Sequence, residues 1–339
     1  MSDFAAGHRP NVSRTVFLAL AAVALASAAL FLPAETFDTG RFVVRSLVEV
    51  APLIIPGILL AAWVSASGAG ERVAGLFNRR MLPALFAASA IGAVTPVCGV
   101  TVLPLMAGLL AAGVPLAPVM AFWLSSPVTD PAMFAATAAT LGMGFAVGKT
   151  VAAFGLGLLG GAGTALVAGR PWIKRPLREN TIIGRSAVGC TGEDSFDWAV
   201  WQSAARRLRF WKESRATARL VLICLIPAFA AEYVLNGLLQ PESLSAYVGE
   251  GSWWSVPLAV FVGAPAYVDG YAALPLTRAL IDHGMAQGAA MAFLVSGSAV
   301  SIWGAMAIFP VLKVKPFLLF VALAVIGSLL SGWLFQIAV

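Results

Sequence analysis

The feature that most limits the fold of this chain is a series of long apolar stretches, each able to cross a membrane as a helix. The hydrocarbon core of a bilayer is about 30 Å thick, so roughly 20 apolar helical residues span it. Hydrophobic residues make up 60% of the 339 and charged residues only 11%, which excludes a soluble globular domain and predicts an all-α polytopic membrane protein. Stretches long enough to cross are 14–33, 43–66, 115–141, 145–168, 217–238, 286–312 and 316–338, and two more, 82–112 and 256–283, are interrupted within the stretch.

Lysine and arginine in the loops predict the orientation of the chain, because basic loops are retained on the cytoplasmic side. Eleven of the 22 basic residues lie between Arg170 and Arg219, whereas the acidic loops 34–40 and 239–255 contain none. We therefore expect the N-terminus and the linker 169–216 to be cytoplasmic and the C-terminus to lie outside. The apolar run of the first segment continues through Leu32, which favours an uncleaved helix over a cleaved signal peptide.

A single offset of 171 residues relates two parts of the sequence. Apolar helices often match by chance, but prolines and glycines that match at one fixed offset are a stronger indication of duplication. The matching pairs include Pro56 and Pro227, Gly92 and Gly263, Gly99 and Gly270, Pro104 and Pro275, Gly113 and Gly284, Phe122 and Phe293, and Ser125 and Ser296. The sequence thus predicts an internal repeat.

The loop charges predict that the two copies cross the membrane in opposite directions. Segment 43–66 follows an acidic outer loop, whereas its counterpart 217–238 follows the basic linker. An inverted-topology repeat of this kind is the plan of many secondary transporters. The expected domains are a tail with a first helix (1–40), the first repeat (41–168), the basic linker with an amphipathic helix (169–211) and the second repeat (212–339).

Two segments are expected to enter the membrane and return on the same side. Three apolar segments lie between the basic loop near Arg80 and the linker, although only an even number of crossings connects two inner loops. The interrupted stretch 82–112 is therefore predicted as a re-entrant hairpin that turns at Pro96–Gly99. Its counterpart, 256–283, is predicted to turn between Pro265 and Gly270, which gives seven full crossings and two re-entrant hairpins.

The helix that follows each hairpin is also predicted to be broken. Serines and prolines interrupt the apolar pattern at Ser125–Pro131 and, in the second copy, at Ser296–Ser301. Unsatisfied backbone groups cost several kcal/mol in hydrocarbon and are tolerated only inside protein or beside a watery cavity. We therefore expect four non-helical segments to meet near the midplane, where such folds bind their substrate.

These motifs resemble the bacterial predicted-permease family that includes the ArsP organoarsenical efflux permeases. Family members carry P-x-C-S-C-x-x-x-P followed by P-L, A-F and S-P, and here Pro96, Cys98, Pro104, Ala121-Phe122 and Ser126-Pro127 match. A second family motif, G-x-P-x-Y, is Gly263-Ala264-Pro265-Ala266-Tyr267. The resemblance covers nearly the whole chain after the first helix. It implies a multi-pass permease of the bacterial inner membrane with a periplasmic C-terminus.

The chain departs from the family at its cysteine motif. Where the family has C-S-C, this sequence has Cys98-Gly99-Val100, and the second copy carries Asp269 at the position of Cys98. Trivalent arsenicals are soft and prefer thiolate ligands. The resemblance therefore implies a thiophilic substrate such as a trivalent organoarsenical, but with one thiol in place of two.

The candidate site residues lie at the predicted breaks. The alternatives are that Cys98 is a small buried hydrophobe, that Asp130 caps a helix and that the tyrosine packs without a ligand. Intramembrane carboxylates are costly and often relay protons. The candidates for substrate binding are Pro96, Cys98, Gly99, Ser125, Ser126, Thr129, Tyr267, Gly270, Ser296 and Ser298, and those for proton coupling are Asp130, Glu232 and Asp269.

The remaining patterns predict structure and surroundings. Residues 195–214 alternate tryptophan with arginine, which is typical of a helix on anionic lipid, so the basic charge does not indicate nucleic-acid binding. The glycine-rich run 155–163 is expected to be a helix-packing face, and Lys149 to extend to the membrane surface. Arg278 and Asp282 are expected to pair on one helix.

The predicted function is export of a small solute by alternating access, driven by protons, with no cofactor or metal. An uncoupled channel and a permease for another solute are alternatives. An intramembrane enzyme is disfavoured, because His8 and His283 are placed neither as a base beside a nucleophile nor in a metal cluster.

Overall fold

The computed structural model describes residues 33–69, 81–95, 102–111, 113–178, 196–238, 254–263, 273–300, 305, 308–309 and 311–339. The backbone in these ranges forms helices joined by turns, apart from an isolated antiparallel bridge between Leu177 and Leu312, and this confirms the all-helical prediction for the described part. The helices are α1 (Pro33–Ser67), α2 (Met81–Val94), α3 (Val102–Ala111), α4 (Leu116–Ser125), α5 (Pro131–Leu141), α6 (Met143–Leu166), α7 (Pro171–Lys174), α8 (Ala204–Leu238), α9 (Ser255–Gly263), α10 (Ala273–Asp282), α11 (Gln287–Ala299) and α12 (Val314–Ala338), with a 3-10 turn at Val200–Gln202.

Two described helices, α6 and α12, are long and apolar enough to cross a membrane. Their ends lie within two residues of the predicted stretches 145–168 and 316–338. A third candidate span is α1, whose two parts meet at an angle of 56°. Pro52 and Pro56 lie inside α1, and a proline removes a helical hydrogen bond and bends the helix. The predicted seven crossings and two hairpins stay a prediction, because residues 1–32 and both hairpin tips lie outside the described ranges.

Helices α1 and α8 begin at unexpected positions. The interpretation of 34–40 as a loop was wrong, because α1 begins at Pro33 and includes these residues. A proline suits the first turn of a helix, and acidic side chains near a helix N-terminus interact favourably with its dipole. Helix α8 begins at Ala204 and continues without interruption past 212, where the second repeat was predicted to begin.

The predicted break after Ser125 is present. Helix α4 ends at Ser125 and α5 begins at Pro131, with turn residues between them. In the second copy the predicted break at Ser296–Ser301 was wrong for residues 296–299, because α11 continues through Ala299; residues 301–304 are outside the described ranges. A polar turn therefore divides what would otherwise be one apolar helix.

Glycines on α6 lie against neighbouring helices, as the sequence predicted for 155–163. A methyl group added to Gly157 would lie 2.7 Å from the Ala121 carbonyl oxygen, and one on Gly161 would lie 2.9 Å from Ala121 Cβ. These distances are far below van der Waals contact, so only glycine allows α6 to approach α4 this closely. The prediction of a packing face is confirmed.

Corresponding glycines in the two halves have corresponding neighbours, each displaced by 171 residues. The neighbours of Gly161 are Leu85, Ala117 and Ala121, and those of Gly332 are Val256, Gly288 and Ala292. In the same way, Gly92 lies against Phe122 and Ser125, and Gly263 lies against Phe293 and Ser296. The packing of α2, α4 and α6 thus has the same contacts as the packing of α9, α11 and α12.

The two three-helix groups meet along α6 and α12. Leu323 lies against Gly163, and the rings of Phe145 and Phe335 are 5.0 Å apart. The ring of Trp123 on α4 also lies 5.0 Å from that of Phe320 on α12. Buried apolar side chains therefore continue from one group into the other as one core.

The segment that precedes α12 contacts the segment that follows α7, and both segments carry basic residues. The Lys313 amide donates to the Pro176 carbonyl at 2.8 Å, and the Arg178 amide donates to the Val311 carbonyl at 2.9 Å. The start of α12, with Lys313 and Lys315, therefore lies beside the start of the basic linker. This placement agrees with the expectation that both belong on the same side of the membrane.

The end of the linker is docked on the C-terminal end of α1. Phe210 is 4% exposed and packs with Val200, Ala62 and Ala66. The Arg206 guanidinium donates from Nη1 to the carbonyl oxygens of Ser67, at 3.3 Å, and Asp197, at 3.1 Å. The linker is thereby tied to the membrane-facing bundle.

Replacing Phe210 with alanine is expected to release this linker. Loss of a buried phenylalanine typically costs about 3 kcal/mol, which corresponds to roughly a hundredfold rise in local opening. Limited trypsin digestion at the arginines 206, 207 and 209 measures that opening. Leu208→Ala is the matched control, because Leu208 is exposed. Equal cleavage rates for both variants and the unmodified protein would contradict the docking.

Candidate site at the break between α4 and α5

The polar turn between α4 and α5 is buried. Ser125, Ser126 and Thr129 are each at most 3% exposed. The Ser125 hydroxyl donates to the Ala121 carbonyl at 2.9 Å, which satisfies it within its own helix. The break thus places hydroxyl groups inside an otherwise apolar bundle, where polar groups are costly unless they are hydrogen-bonded, whereas Asp130 is half-buried and Pro131 is exposed.

Asp130 is the N-cap of α5. Its Oδ1 accepts hydrogen bonds from the amides of Ala132, at 2.8 Å, and Met133, at 3.0 Å. Pro131 follows at the first helical position, where a missing N–H is harmless. The alternative that Asp130 caps a helix is therefore confirmed. A carboxylate in this position also offsets the positive end of the helix dipole.

Lys149 on α6 is buried, contrary to the expectation that it extends to the membrane surface. The residue is 1% exposed, and its Nζ has no hydrogen-bond partner among the described residues. The charge of Asp130 acts on it without an ion pair between them in that part of the chain. The expectation failed because a long side chain reaches the surface only if its helix face meets lipid, and Lys149 faces protein.

The packing of α4 on α6 explains how Lys149 reaches the break. Gly161 lies against Ala117, and Gly157 lies against Ala121 and Ser125, so the two helices run antiparallel. Lys149 is two further turns from Gly157, towards the residues that follow Ser125. Sequence reasoning missed this residue, although a signal existed: Lys149 is the only charged residue within α6.

The second copy has a serine, Ser296, at the position of Ser125 but lacks both charged residues. Ser296 is buried and donates to the Phe293 carbonyl at 3.1 Å, and Ser298 donates to the Leu294 carbonyl at 2.8 Å. The residue that corresponds to Lys149 is Phe320, which contacts Trp123. The two halves thus differ in charge at equivalent positions.

The other predicted site residues are distributed as follows. Glu232 belongs to α8, but nothing is described of its side chain. Away from the site, Arg278 and Asp282 form the predicted pair at 3.1 Å, and no cluster of three His, Cys, Asp or Glu that could hold a metal is found in the described ranges. The structure brings together Ser125, Ser126, Thr129 and Asp130, whereas Pro96, Cys98, Gly99, Tyr267, Asp269 and Gly270 lie outside the described residues.

Apolar helices packed through glycine, with a buried polar break inside them, define a helical integral membrane protein. The chain belongs to the predicted permease family ArsP_1, whose profile matches residues 40–337. Members of this family are described as predicted permeases.

Two relatives are similar to parts of the chain. UPF0718 protein MJ0584 of Methanocaldococcus jannaschii is 29% identical over 135 residues, which is 40% of this chain and 37% of that protein. UPF0718 protein YcgR of Bacillus subtilis is 33% identical over 92 residues, or 27% of this chain and 31% of that protein. The matches thus span about a third of each relative. No solved structure matches the chain.

Proposed function

We propose that this permease exports a small solute across the bacterial inner membrane by alternating access around the break between α4 and α5. The observation that carries the proposal is a buried polar turn with a capping carboxylate and a buried lysine, set inside an apolar bundle. Charged and polar groups at this depth are retained mainly where they serve a transported species.

An inverted repeat gives this site its proposed means of alternating access. Helices α1 and α8 have equal lengths, and their bounds differ by 171 residues at both ends, as do those of α3 and α10. The basic linker before the second copy supports the prediction that the two copies cross the membrane in opposite directions. In such a fold, one half rocks against the other and exposes a central site first to one side and then to the other.

Proton coupling is proposed for Asp130, together with Asp269 and Glu232. Helix α5 packs against α6 and α10, so the charged groups on its neighbours are Lys149, Arg278 and Asp282. The last two pair with each other, which leaves Lys149 as the charge that acts on Asp130. Intramembrane carboxylates often relay protons in transporters, which supports this role for Asp130.

A thiophilic substrate, such as a trivalent organoarsenical, is proposed from Cys98 and the resemblance to the ArsP permeases. Cys98→Ser is expected to lower arsenical resistance about tenfold or more in a sensitive strain, because a hydroxyl is a poor ligand for a soft centre. Growth inhibition by trivalent methylarsenical measures this, with Cys190→Ser as the control in the linker. Unchanged resistance in Cys98→Ser would contradict the proposal that the Cys98 thiolate binds the arsenical.

The linker is proposed to rest on anionic lipid of the inner leaflet. Trp198, Trp201, Leu208 and Trp211 are exposed, beside Arg207 and Lys212. Aromatic and basic side chains together bind the interface of a negatively charged bilayer.

Transport into proteoliposomes tests the proposed function. Uptake of radiolabelled solute into inside-out vesicles is expected to rise several-fold when an imposed pH gradient drives protons outwards from the lumen. Uptake that ignores the gradient would remove proton coupling. Flux that does not saturate and exceeds carrier rates would favour the channel.

A further inference from the structure

We propose that Lys149 binds the carboxylate group of a small organic anion, which is the transported solute. This inference names the substrate class of the site and rests on the proposed permease function. Its basis is a cation inside the bundle whose Nζ no described residue hydrogen-bonds.

The ammonium group of Lys149 requires a partner. Lysine carries three donors and no acceptor, and a buried charge without hydrogen bonds is strongly unfavourable. Among the described residues, no acceptor contacts Nζ, and the residue is 1% exposed, so bulk water does not replace one. An anionic group with oxygen acceptors would balance the charge and accept hydrogen bonds from Nζ.

Asp130 does not fill this role. Its Oδ1 already accepts two backbone N–H groups at the start of α5, and it makes no ion pair with Lys149 in the described part of the chain. The N-terminus of α5 adds about half a positive charge, which the carboxylate offsets. The carboxylate thus offsets the start of α5, and the charge of Lys149 is left without a hydrogen-bonded partner among the described residues.

The surroundings select a small organic anion. Trp123, Met120 and Leu124 on α4 are all almost completely buried, as is Phe320 on α12. The core of α4 and α12 is therefore apolar, and an organic anion suits it better than a fully hydrated inorganic ion. Since Lys149 is closed off from solvent, the anion reaches it only when the halves move apart, as alternating access requires.

Thermal stability in detergent tests the site with benzoate, acetate and inorganic phosphate as probes, at constant ionic strength. A ligand that binds only the folded protein raises its melting temperature in a saturable manner. Benzoate or acetate is expected to stabilise the unmodified protein. In Lys149→Met, which keeps the length of the side chain, apparent affinity is expected to fall at least about thirtyfold. Lys315→Met, at an exposed lysine, is the matched control and should retain the affinity.

Asp130→Asn is the second variant, and it is expected to change anion affinity in the direction opposite to Lys149→Met. Asparagine is as good an N-cap as aspartate, so the turn is kept while the competing negative charge is removed. Anion affinity is therefore expected to rise about tenfold, and this arm decides the question if Lys149→Met fails to fold. Unchanged or weaker binding in Asp130→Asn overturns the proposal, as does unchanged affinity in Lys149→Met.

The three probes distinguish an organic anion from inorganic phosphate. Together with vesicle uptake, they also distinguish failure of the anion site at Lys149 from failure of the proposed permease mechanism. Stabilisation by phosphate alone would overturn an organic anion, and the absence of any shift would overturn the site. Binding in detergent does not depend on transport. Failure of vesicle uptake with intact anion binding therefore contradicts the permease mechanism alone, whereas normal uptake by Lys149→Met contradicts the anion site alone.

Discussion

Gly157→Ala is expected to prevent stable folding, whereas Gly155→Ala, two residues earlier on the same helix, is expected to leave the protein intact. The added methyl group at 157 would lie 2.7 Å from the Ala121 carbonyl oxygen and 2.9 Å from Ser125 Cβ. The Ala121 carbonyl oxygen belongs to the backbone of α4 and does not move aside as a side chain would. The clash is therefore relieved only if α4 and α6 separate. Overpacking of this kind costs about 1–3 kcal/mol, and more where backbone must shift.

Gly155 offers the matched control because nothing lies within 4 Å of an added methyl group there. Alanine favours a helix over glycine by about 0.5–1 kcal/mol, so this variant should be equally or slightly more stable. The yield of monodisperse protein in size-exclusion chromatography and the melting temperature in detergent measure both variants. A normal yield and melting temperature for Gly157→Ala would show that α4 and α6 do not approach as described.

Asp130→Asn is expected to abolish transport driven by a pH gradient while the protein remains folded. Asparagine keeps an acceptor for the amides of Ala132 and Met133 but does not exchange a proton. Gradient-driven uptake should fall at least about tenfold, because the proposed coupling depends on this carboxylate. Vesicle uptake with and without the gradient is the measurement.

Asp130→Ala separates the coupling role from the capping role. Loss of the cap costs about 1 kcal/mol, so Asp130→Ala should melt at a lower temperature, whereas Asp130→Asn should not. Full gradient-driven uptake by Asp130→Asn would leave the carboxylate with a capping role only. Equal melting temperatures for all three proteins would contradict the cap itself.

The fold could be predicted from sequence where a residue type limits the backbone. Pro131 and the serines before it marked the break. Proline has no N–H to donate to the carbonyl oxygen four residues earlier, so a helix does not continue regularly through it. The glycine run in α6 marked a packing face because small residues let helices approach. These predictions depend on local chemistry, which the sequence contains in full.

Other features depended on what a helix faces, and this could not be predicted from the sequence. Helix α6 is apolar around most of its circumference, so no periodicity distinguished a lipid-facing Lys149 from a protein-facing one. The acidic residues Glu35 and Asp38 suggested an outer loop, although they are equally suited to the start of α1. Within the site, Asp130 was predicted from its chemistry. Lys149 could be assigned to the site only once the antiparallel packing of α4 and α6 was known.

The presence of Phe320 at the position equivalent to Lys149 bears on the energies of the two access states. In a transporter with identical halves, the inward-open and outward-open forms would be mirror images and therefore equally populated without ligand. A cation in one half and a phenyl ring in the other remove this degeneracy. Under the proposed alternating access, one form would then be the resting state, and the membrane voltage would act on the half that carries the charge, by about 2.3 kcal/mol per 100 mV for a full crossing.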